Sequence, residues 1–476
     1  MQGLKTCWVF LLLFTMLWFA GCGAPTTTTT TTTTAPTIVE VPVEVTVEVT
    51  RVITQQVTQQ IVTAATPTPP MPCANINPGD NGVVTVGAIL PLSSPGALLA
   101  GFAMQTALNI ALADINEHGG INGVPLRLVT YDSAGSPERS AQFAERLILL
   151  DCAVGIVGLY HNSDALAAID VAHRYGIPIL IAEAGADEIV ARGYPEVFRL
   201  APSHSMLAQV PAQWLTEVGD FNGDGELVAA IVAENGSGSA LLESVRTNLI
   251  DASIATELLR VDLPSTNFAS VIARLVALEK LPDAIFITIK GQPALALQAQ
   301  LLEAGIGPQR STLIVQHHVG LDSARFWSEV PNGNGTVVLR EGAWSSTVTE
   351  KGMEFAIKYD QYLTRWPEAY AFASYDALWL LAHALQDAPT WSGSDLVLAL
   401  EQAQVQLTSG EINFSQAVDQ AVTEQGLPTL SRQWVDGQIL YLQYTEVNQS
   451  ASAMTIVWPP RFRLPGLQTA IFPTLP

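Results

Sequence analysis

Cysteine and charge are both scarce in this chain. It has 476 residues but only 4 cysteines, and 14% of its residues are charged. No Cys-x-x-Cys pair or Cys/His cluster argues for a metal site. Its 22 Lys and Arg are outnumbered by 44 Asp and Glu, which gives a net charge of -22. Such a surface repels phosphate backbones, so we expect no nucleic-acid partner.

Common catalytic signatures are also missing. The sequence contains no nucleophile elbow, no P-loop and no Rossmann glycine fingerprint. Hydrophobic residues make up 48% of the chain, which is typical of a globular protein with a large core. The missing signatures agree with a binding protein, and we expect that the chain is not an enzyme and carries neither a cofactor nor a metal.

The N-terminus has the features of an export signal. Lys5 precedes an apolar run from Cys7 to Phe19, and small residues lead to Cys22. A bilayer span takes about twenty apolar residues, so this shorter run predicts a signal peptide over residues 1–21. The stretch FAGC resembles the lipobox of bacterial lipoproteins, which implies lipidation of Cys22. The alternative is an ordinary signal peptide that releases a soluble protein.

Residues 22–72 are of low complexity. Threonine is unbroken from Thr26 to Thr34, a valine-rich stretch follows, and TPTPPMP closes the segment. This composition predicts an extended stalk, although the alternating valines could instead form a strand or assemble with copies of themselves. Beyond the stalk, Cys73 and Cys152 are the remaining cysteines. Export permits a disulfide between them, and two separate buried thiols are the alternative.

From Cys73 onward, strand-like and helix-like segments alternate. VVTVGAIL, PLRLVTYD and AVGIVGLY are separated by helical patterns, one of which starts with Ser136 as a predicted N-cap. The alternation restarts at LVAAIVAEN, so we predict two successive doubly wound α/β halves. Lobe I takes residues 73–204 with 336–430, and lobe II takes 205–335 with 431–476.

Candidate binding residues follow from this topology. Ligands of open parallel sheets bind beyond the carboxyl ends of the strands, where helix N-termini present free N–H groups. Each selected residue could instead belong to a solvated loop or a helix cap. The candidates are Ser93, Ser94, Tyr160, Asn162, Ser163, Ala184, Ala186, Asp187, Glu234, Ser237, Lys290 and His317.

Two stretches suggest metal binding at first sight. The acidic loop DFNGDGE, residues 220–226, resembles a calcium loop, but Ile231 occupies the twelfth position, where a bidentate Glu is needed. A glycine-rich connection is the better interpretation. Neighbouring strand residues point to opposite sides, so His317 and His318 predict one histidine in the cleft and no chelating pair.

Several stretches resemble one protein family. VGAILPLSSPGALLAG, INEHGGINGVPL and YAFASYDALWLLAHAL are similar to the branched-chain-amino-acid-binding type of extracellular solute-binding proteins, from about Val83 to Phe414. The resemblance implies a type I periplasmic-binding-protein fold, with two doubly wound parallel-sheet lobes joined by a three-stranded hinge. It also implies a monomer, lipid-anchored outside the bacterial cell membrane, that delivers a small polar solute to an ABC permease. A ligand sensor for a membrane signalling partner is the alternative.

The family's amino-acid site matches this sequence poorly. Its carboxylate-holding Ser corresponds to Asn162 or Ser163, and its small residue and Thr after the fourth strand correspond to Ala184 and Ala186. The cleft Tyr of the second lobe corresponds to Ser237. Ala186 therefore lacks the hydroxyl group that would help to hold a ligand carboxylate.

The acidic residue that pairs with a ligand ammonium falls near Pro293 in this comparison. No acid lies between Lys290 and Gln300. A buried ammonium without a carboxylate partner costs several kcal/mol. We therefore expect a ligand other than a simple zwitterionic α-amino acid, unless another acid substitutes: Glu183, Asp187 or Glu234.

Overall fold

The computed structural model describes residues 82–235, 240–317, 323–414, 432–468 and 470. These residues belong to one compact unit that spans residues 69–476. The predicted signal peptide, the stalk, Cys22, Cys73, Ser237 and His318 lie outside the described residues. Cys152 is disulfide-bonded, while its pairing with Cys73 stays a prediction.

The described chain forms two main β-sheets, one in each lobe. The strands are β1 (Val84–Leu90), β2 (Leu126–Asp132), β3 (Ile156–Gly158), β4 (Ile179–Ile181), β5 (Val197–Arg199), β6 (Val228–Glu234), β7 (Ala255–Val261), β8 (Ala284–Ile287), β9 (Leu313–Gln316), β10 (Val337–Glu341), β11 (Gln404–Leu407), β12 (Gly410–Asn413), β13 (Ile439–Gln443) and β14 (Thr455–Trp458).

Strand order assigns these segments to the lobes. The lobe I sheet has the order β2-β1-β3-β4-β5, and all of its neighbouring strands are parallel. The lobe II sheet has the order β14-β13-β10-β9-β8-β6-β7, in which β13 and β14 run antiparallel at one edge. Strands β11 and β12 form a separate hairpin. The predicted parallel lobes are confirmed, with two antiparallel strands added to the second.

The helices cover the sheets and alternate with most of the parallel strands. They are α1 (Leu98–Glu117), α2 (Pro137–Leu149), α3 (Asn162–Tyr175), α4 (Glu188–Ala191), α5 (His204–Val218), α6 (Ala240–Asp251), α7 (Ala269–Val276), α8 (Gln292–Glu303), α9 (Ser323–Glu329), α10 (Glu350–Leu363), α11 (Ala369–Asp387) and α12 (Gly393–Gln402). The Ser136 side chain accepts a hydrogen bond from the Arg139 amide at 3.3 Å and caps α2, as predicted.

Apolar cores lie on both faces of each sheet. In lobe I, α1 and α11 contribute Met104 and Phe372 to one core, and α2 and α3 contribute Leu147 and Ile169 to the other. Helix α1 is long and apolar enough to cross a membrane, but ten of its 20 residues are buried in the fold. Strands that are covered on both faces consist of near-continuous runs of Val, Ile and Leu. Their positions could therefore be predicted from the sequence.

The chain passes between the lobes three times, after β5, after β10 and before β13. In the third passage, the Arg199 amide donates to the Arg432 carbonyl, and the Trp434 amide donates to the Arg199 carbonyl, both at 2.9 Å. The two-lobed fold with its three-stranded hinge is therefore confirmed. One boundary differs from the prediction: Val337–Glu341 pairs within the lobe II sheet, so the return to lobe I follows Glu341 and does not occur at 336.

Candidate ligand-binding cleft

A cavity of about 510 Å³ lies between the lobes and is lined by both of them. It sits at the carboxyl ends of β3, β4, β6, β8, β9 and β10, which is the expected position for a ligand of parallel sheets. Its lining residues are Tyr160, His161, Asn162, Glu183, Gly185, Pro202, His204, Leu207, Glu234, Leu241, Leu242, Val245, Thr288, Ile289, Lys290, His317, Leu339 and Glu341.

Five of the predicted binding residues line this cavity: Tyr160, Asn162, Glu234, Lys290 and His317. Six others do not line it: Ser93, Ser94, Ser163, Ala184, Ala186 and Asp187. The structure therefore brings together the polar residues that follow β3, β6, β8 and β9.

The residues outside the cavity have structural roles in several cases. The Ser93 hydroxyl donates to Asp132 Oδ2 at 2.5 Å and holds the turn after β1. The Asp187 carboxylate accepts from the Ser205 amide at 3.2 Å and from the Ser205 hydroxyl at 2.8 Å, at the start of α5. Ser94 and Ser163 are exposed to solvent.

The turn after β4, residues 183–187, also differs from its predicted role. The Ala184 amide donates to the Leu159 carbonyl at 3.2 Å. The Ala186 amide donates to Asn162 Oδ1 at 3.0 Å. Both N–H groups expected to hold a ligand are thus engaged inside the protein.

Close packing explains the small residues of this turn. A Cβ atom at Gly185 would lie only 3.0 Å from both the Pro202 carbonyl oxygen and the His204 ring. The buried Arg199 guanidinium donates to the Ala186 carbonyl at 2.6 Å and to Gln433 Oε1. The turn is small because it packs against the hinge, and only Glu183 and Gly185 of the five residues reach the cavity.

Two glutamates, Glu183 and Glu341, form what we call the carboxylate pair. Glu183 follows β4 in lobe I, whereas Glu341 is the last residue of β10 in lobe II. Both line the cavity. Across the described residues, neither side chain has a hydrogen bond or an ion pair, so neither charge is compensated by direct contact.

Burial changes the protonation of the carboxylate pair. It raises the pKa of Glu341 to about 7, although the nearby Arg340 opposes this shift. Burial also raises the pKa of Glu183 well above its ordinary value; the charge of Glu341 raises it further, whereas Arg340 and Lys290 lower it. Two carboxylates that face one low-dielectric cavity disfavour each other's ionised form.

The positive groups near the pair are held elsewhere or exposed. Arg340 is buried behind the cleft, where its guanidinium donates to the carbonyls of Ala343 at 3.1 Å and Pro367 at 2.8 Å. Lys290 lines the cavity but is exposed. Burial lowers the pKa of His204, which keeps that ring neutral at neutral pH.

Lobe II also supplies an apolar surface, which we call the apolar wall. It comes from α5, α6, β10 and the segment after β8, and several of its side chains continue into the lobe II core. Its residues are Leu207, Leu241, Leu242, Val245, Ile289 and Leu339. Lobe I faces the cavity mainly with polar groups, among them Tyr160, whose pKa is raised by burial and by the neighbouring carboxylates.

The sequence interpretation missed Glu341 and the apolar wall, and it considered Glu183 only as a substitute. Ligands of parallel sheets bind beyond the carboxyl ends of the strands, which we call the strand-end rule. This rule would have found Glu341 if VVLRE had been recognised as a strand. That segment was instead placed at the start of the second lobe I segment, residues 336–430. The apolar wall gave no separate signal, because its leucines follow the same helical pattern as core leucines.

The loop of residues 220–226 is organised by the protein's own groups. Asp220 accepts from the Gly223 and Gly225 amides, both at 2.7 Å. Lys280 Nζ lies 3.7 Å from Asp224 and 3.3 Å from Glu226. Within the described ranges, no three His, Cys, Asp or Glu side chains are grouped so as to hold a metal ion.

Comparison with known proteins identifies a family model, described as periplasmic binding protein, that matches residues 83–427. Leu/Ile/Val-binding protein homolog 7 of Brucella suis is 34% identical over 132 residues, which cover 28% of this chain and 33% of that protein. Homolog 8 of Brucella abortus is 28% identical over 229 residues, or 47% of this chain and 56% of the relative. The matched segments thus span a third to just over half of these relatives.

Solved structures extend the likeness over most of the chain. The substrate-binding protein LivJ of Streptococcus pneumoniae, in complex with isoleucine, has a TM-score of 0.60 at 17% identity and covers 78% of this chain and 97% of that one. A solute-binding protein of R. palustris in complex with benzoate has a TM-score of 0.57 at 18% identity, with coverages of 76% and 92%. At these identities the likeness establishes the fold.

Proposed function

Because the chain belongs to the periplasmic binding protein family, we propose that it is the extracytoplasmic substrate-binding protein of an ABC importer. The observation that carries this proposal is the cavity of about 510 Å³ between the lobes. Its volume suits a small organic molecule. Its lining comes from both lobes, so a bound solute would favour their closure about the hinge.

The proposal includes attachment to the bacterial cell membrane. FAGC supports lipidation of Cys22 after removal of residues 1–21, and the low-complexity segment 22–72 would then separate the lobes from the lipid surface. Mass spectrometry of the N-terminal peptide from membranes checks this part. A diacylglycerol-modified Cys22 is expected, and an unmodified N-terminus at another residue would contradict it.

Solute binding itself is tested on protein purified without refolding. Native mass spectrometry is expected to show a retained small molecule, because a cleft closed on its solute releases it slowly. Dialysis in mild denaturant followed by refolding removes the solute. Small-angle scattering should show that the protein as purified, with its solute, is more compact than the refolded protein without it. Absence of a retained solute, together with no compaction by any pool of small metabolites, would argue against a solute receptor. Chemical turnover of the solute would favour an enzyme instead.

A further inference from the structure

We propose that the cleft binds an organic cation whose protonated amine lies between Glu183 of lobe I and Glu341 of lobe II, with its apolar body against the apolar wall. This inference rests on the proposed function, since it names the class of ligand for the same cleft. The ligand needs no carboxylate, which sets it apart from an amino acid.

The first argument is the unpaired state of the carboxylate pair. Both side chains line the cavity of about 510 Å³. In the described part of the chain, neither side chain has a hydrogen-bond or ion-pair partner. A half-buried carboxylate without a counter-ion is costly, and two that repel each other are costlier. A ligand ammonium with three N–H donors would compensate both charges at once.

The second argument is the position of the two glutamates on different lobes. When the cleft is empty and both carboxylates are ionised, their mutual repulsion favours separation of the lobes. A cation between them reverses the sign of this interaction and favours closure. Differential affinity for the closed state is what a ligand must have to shift such an equilibrium.

The third argument is that the two lobe I amides that were expected to hold a ligand carboxylate are not free. The Ala184 and Ala186 amides are engaged by Leu159 and Asn162. Glu183 enters the cavity from the same turn. A negative group placed there would meet a carboxylate and no free backbone donors at Ala184 or Ala186.

The apolar wall defines the rest of the ligand. Six aliphatic side chains from lobe II line one side of the cavity, and Leu242 and Val245 are each only 5% exposed. Burial of a hydrocarbon body against them contributes favourable free energy in proportion to the apolar area covered. The chain's net charge of -22 also raises the local concentration of cations around the protein.

Calorimetry with charge-matched probes tests the inference. One series is 3-methylbutylamine, leucine, 4-methylpentanoate and 4-methylpentanamide; the larger series is 2-phenylethylamine, phenylalanine, 3-phenylpropanoate and 3-phenylpropanamide. Within each series the hydrocarbon group is similar, and the charges differ. At a pH above the raised pKa of Glu341, which is about 7, we expect the amine of at least one series to bind about tenfold or more tightly than the other three members.

Three variants locate the charge recognition. Glu183→Gln and Glu341→Gln should each weaken amine binding by roughly 30-fold or more, since each removes one counter-ion. Glu188→Gln is the matched control, because Glu188 lies close to the same turn but is exposed and outside the cavity. It should change the affinity by less than about twofold. Thermal melting verifies that all three variants fold.

The outcomes separate this inference from the proposed function. Tightest binding of an amino acid, a carboxylate or an amide would overturn the cation assignment and leave the solute receptor standing. If no probe binds, the solute retained in native mass spectrometry decides: a cation supports the inference, and a neutral or anionic solute overturns it. No probe binding and no retained solute would overturn both.

Discussion

The two walls of the cleft are built on different physical principles. The lobe I wall presents Tyr160, His161, Asn162 and Glu183, and hydrogen bonds to the hinge fix its geometry. Lobe II contributes the six aliphatic residues of the apolar wall, whose geometry is fixed by packing because its side chains continue into a core, and also polar residues such as Glu341. The lobe I wall, which we call the polar wall, can therefore select a ligand by charge together with Glu341, whereas the apolar wall can select it by size.

This difference assigns distinct roles to the two lobes. A hydrogen-bonded wall tolerates no loss of a donor, because the freed acceptors stay buried without partners. A packed wall loses stability in proportion to the cavity that a truncation creates. Substitutions behind each wall should separate the two cases.

The largest effect is expected at Arg199, which supports the polar wall. Its fully buried guanidinium donates to Ala186 and Gln433. Arg199→Met should lower the free energy of unfolding by about 3–5 kcal/mol, because both acceptors lose their charged donor. Amine affinity should fall as well, since the turn that carries Glu183 loses its anchor. Chemical denaturation and calorimetry measure the two effects.

Arg192→Met is the control for this substitution. Arg192 pairs with Asp170 at 2.5 Å, but its side chain is 38% exposed. A surface ion pair contributes about 1 kcal/mol or less. Equal losses in the two variants would show that the hydrogen bonds of Arg199 contribute no more to stability than a surface ion pair, and would contradict its role behind the polar wall.

The next effect concerns the apolar wall. Leu242→Ala removes a side chain that is 5% exposed and belongs to the lobe II core, so it should lower the free energy of unfolding by about 2–3 kcal/mol. The preference for the amine over the amino acid should persist, because the carboxylate pair is unchanged. Ile250→Ala on the same helix is the control; Ile250 is 49% exposed, and the change should stay within about 0.5 kcal/mol. A lost charge preference in Leu242→Ala would contradict the division of roles.

Much of the fold could be predicted because buried parallel strands leave a strong signal. The runs that became β1, β6, β8 and β9 are apolar on both faces and are separated by helical patterns. The strand β10 was missed because Arg340 and Glu341 end it with charges, which gave it the composition of a loop. Strand order and the antiparallel pairing of β13 depend on contacts across some 100 residues, which local patterns do not encode.

The candidate site was only partly predictable for a related reason. The strand-end rule identifies the right turns, but not which side chains of a turn enter the cleft. Ala184 and Ala186 were selected with Asp187, and the structure directs Glu183 into the cavity instead. That outcome depends on Arg199, 13 residues beyond Ala186, and on Gln433 of the hinge, which lies 234 residues beyond Arg199 along the chain.

The smallest expected effect is the pH dependence of the free energy of unfolding that arises from Glu341. Burial raises the pKa of Glu341 from 4.5 to about 7. Between these values the folded protein holds a proton that the unfolded chain has released, so this group's contribution to stability falls as the pH rises. Relative to Glu341→Gln, the wild-type protein should lose about 1–3 kcal/mol of unfolding free energy between about pH 5 and about pH 8.

Denaturation curves of the two proteins at each pH measure this difference, and the comparison cancels the shared carboxylates that do not interact with Glu341. Glu183 does not cancel, because the charge of Glu341 raises its pKa. A saturating amine probe should reverse the trend, because its binding requires ionised Glu341 and therefore strengthens as the pH rises. A parallel pH profile for wild type and Glu341→Gln would mean that Glu341 is ionised without penalty. The lobe II end of the carboxylate pair would then be well solvated, and charge selection would rest on Glu183 alone.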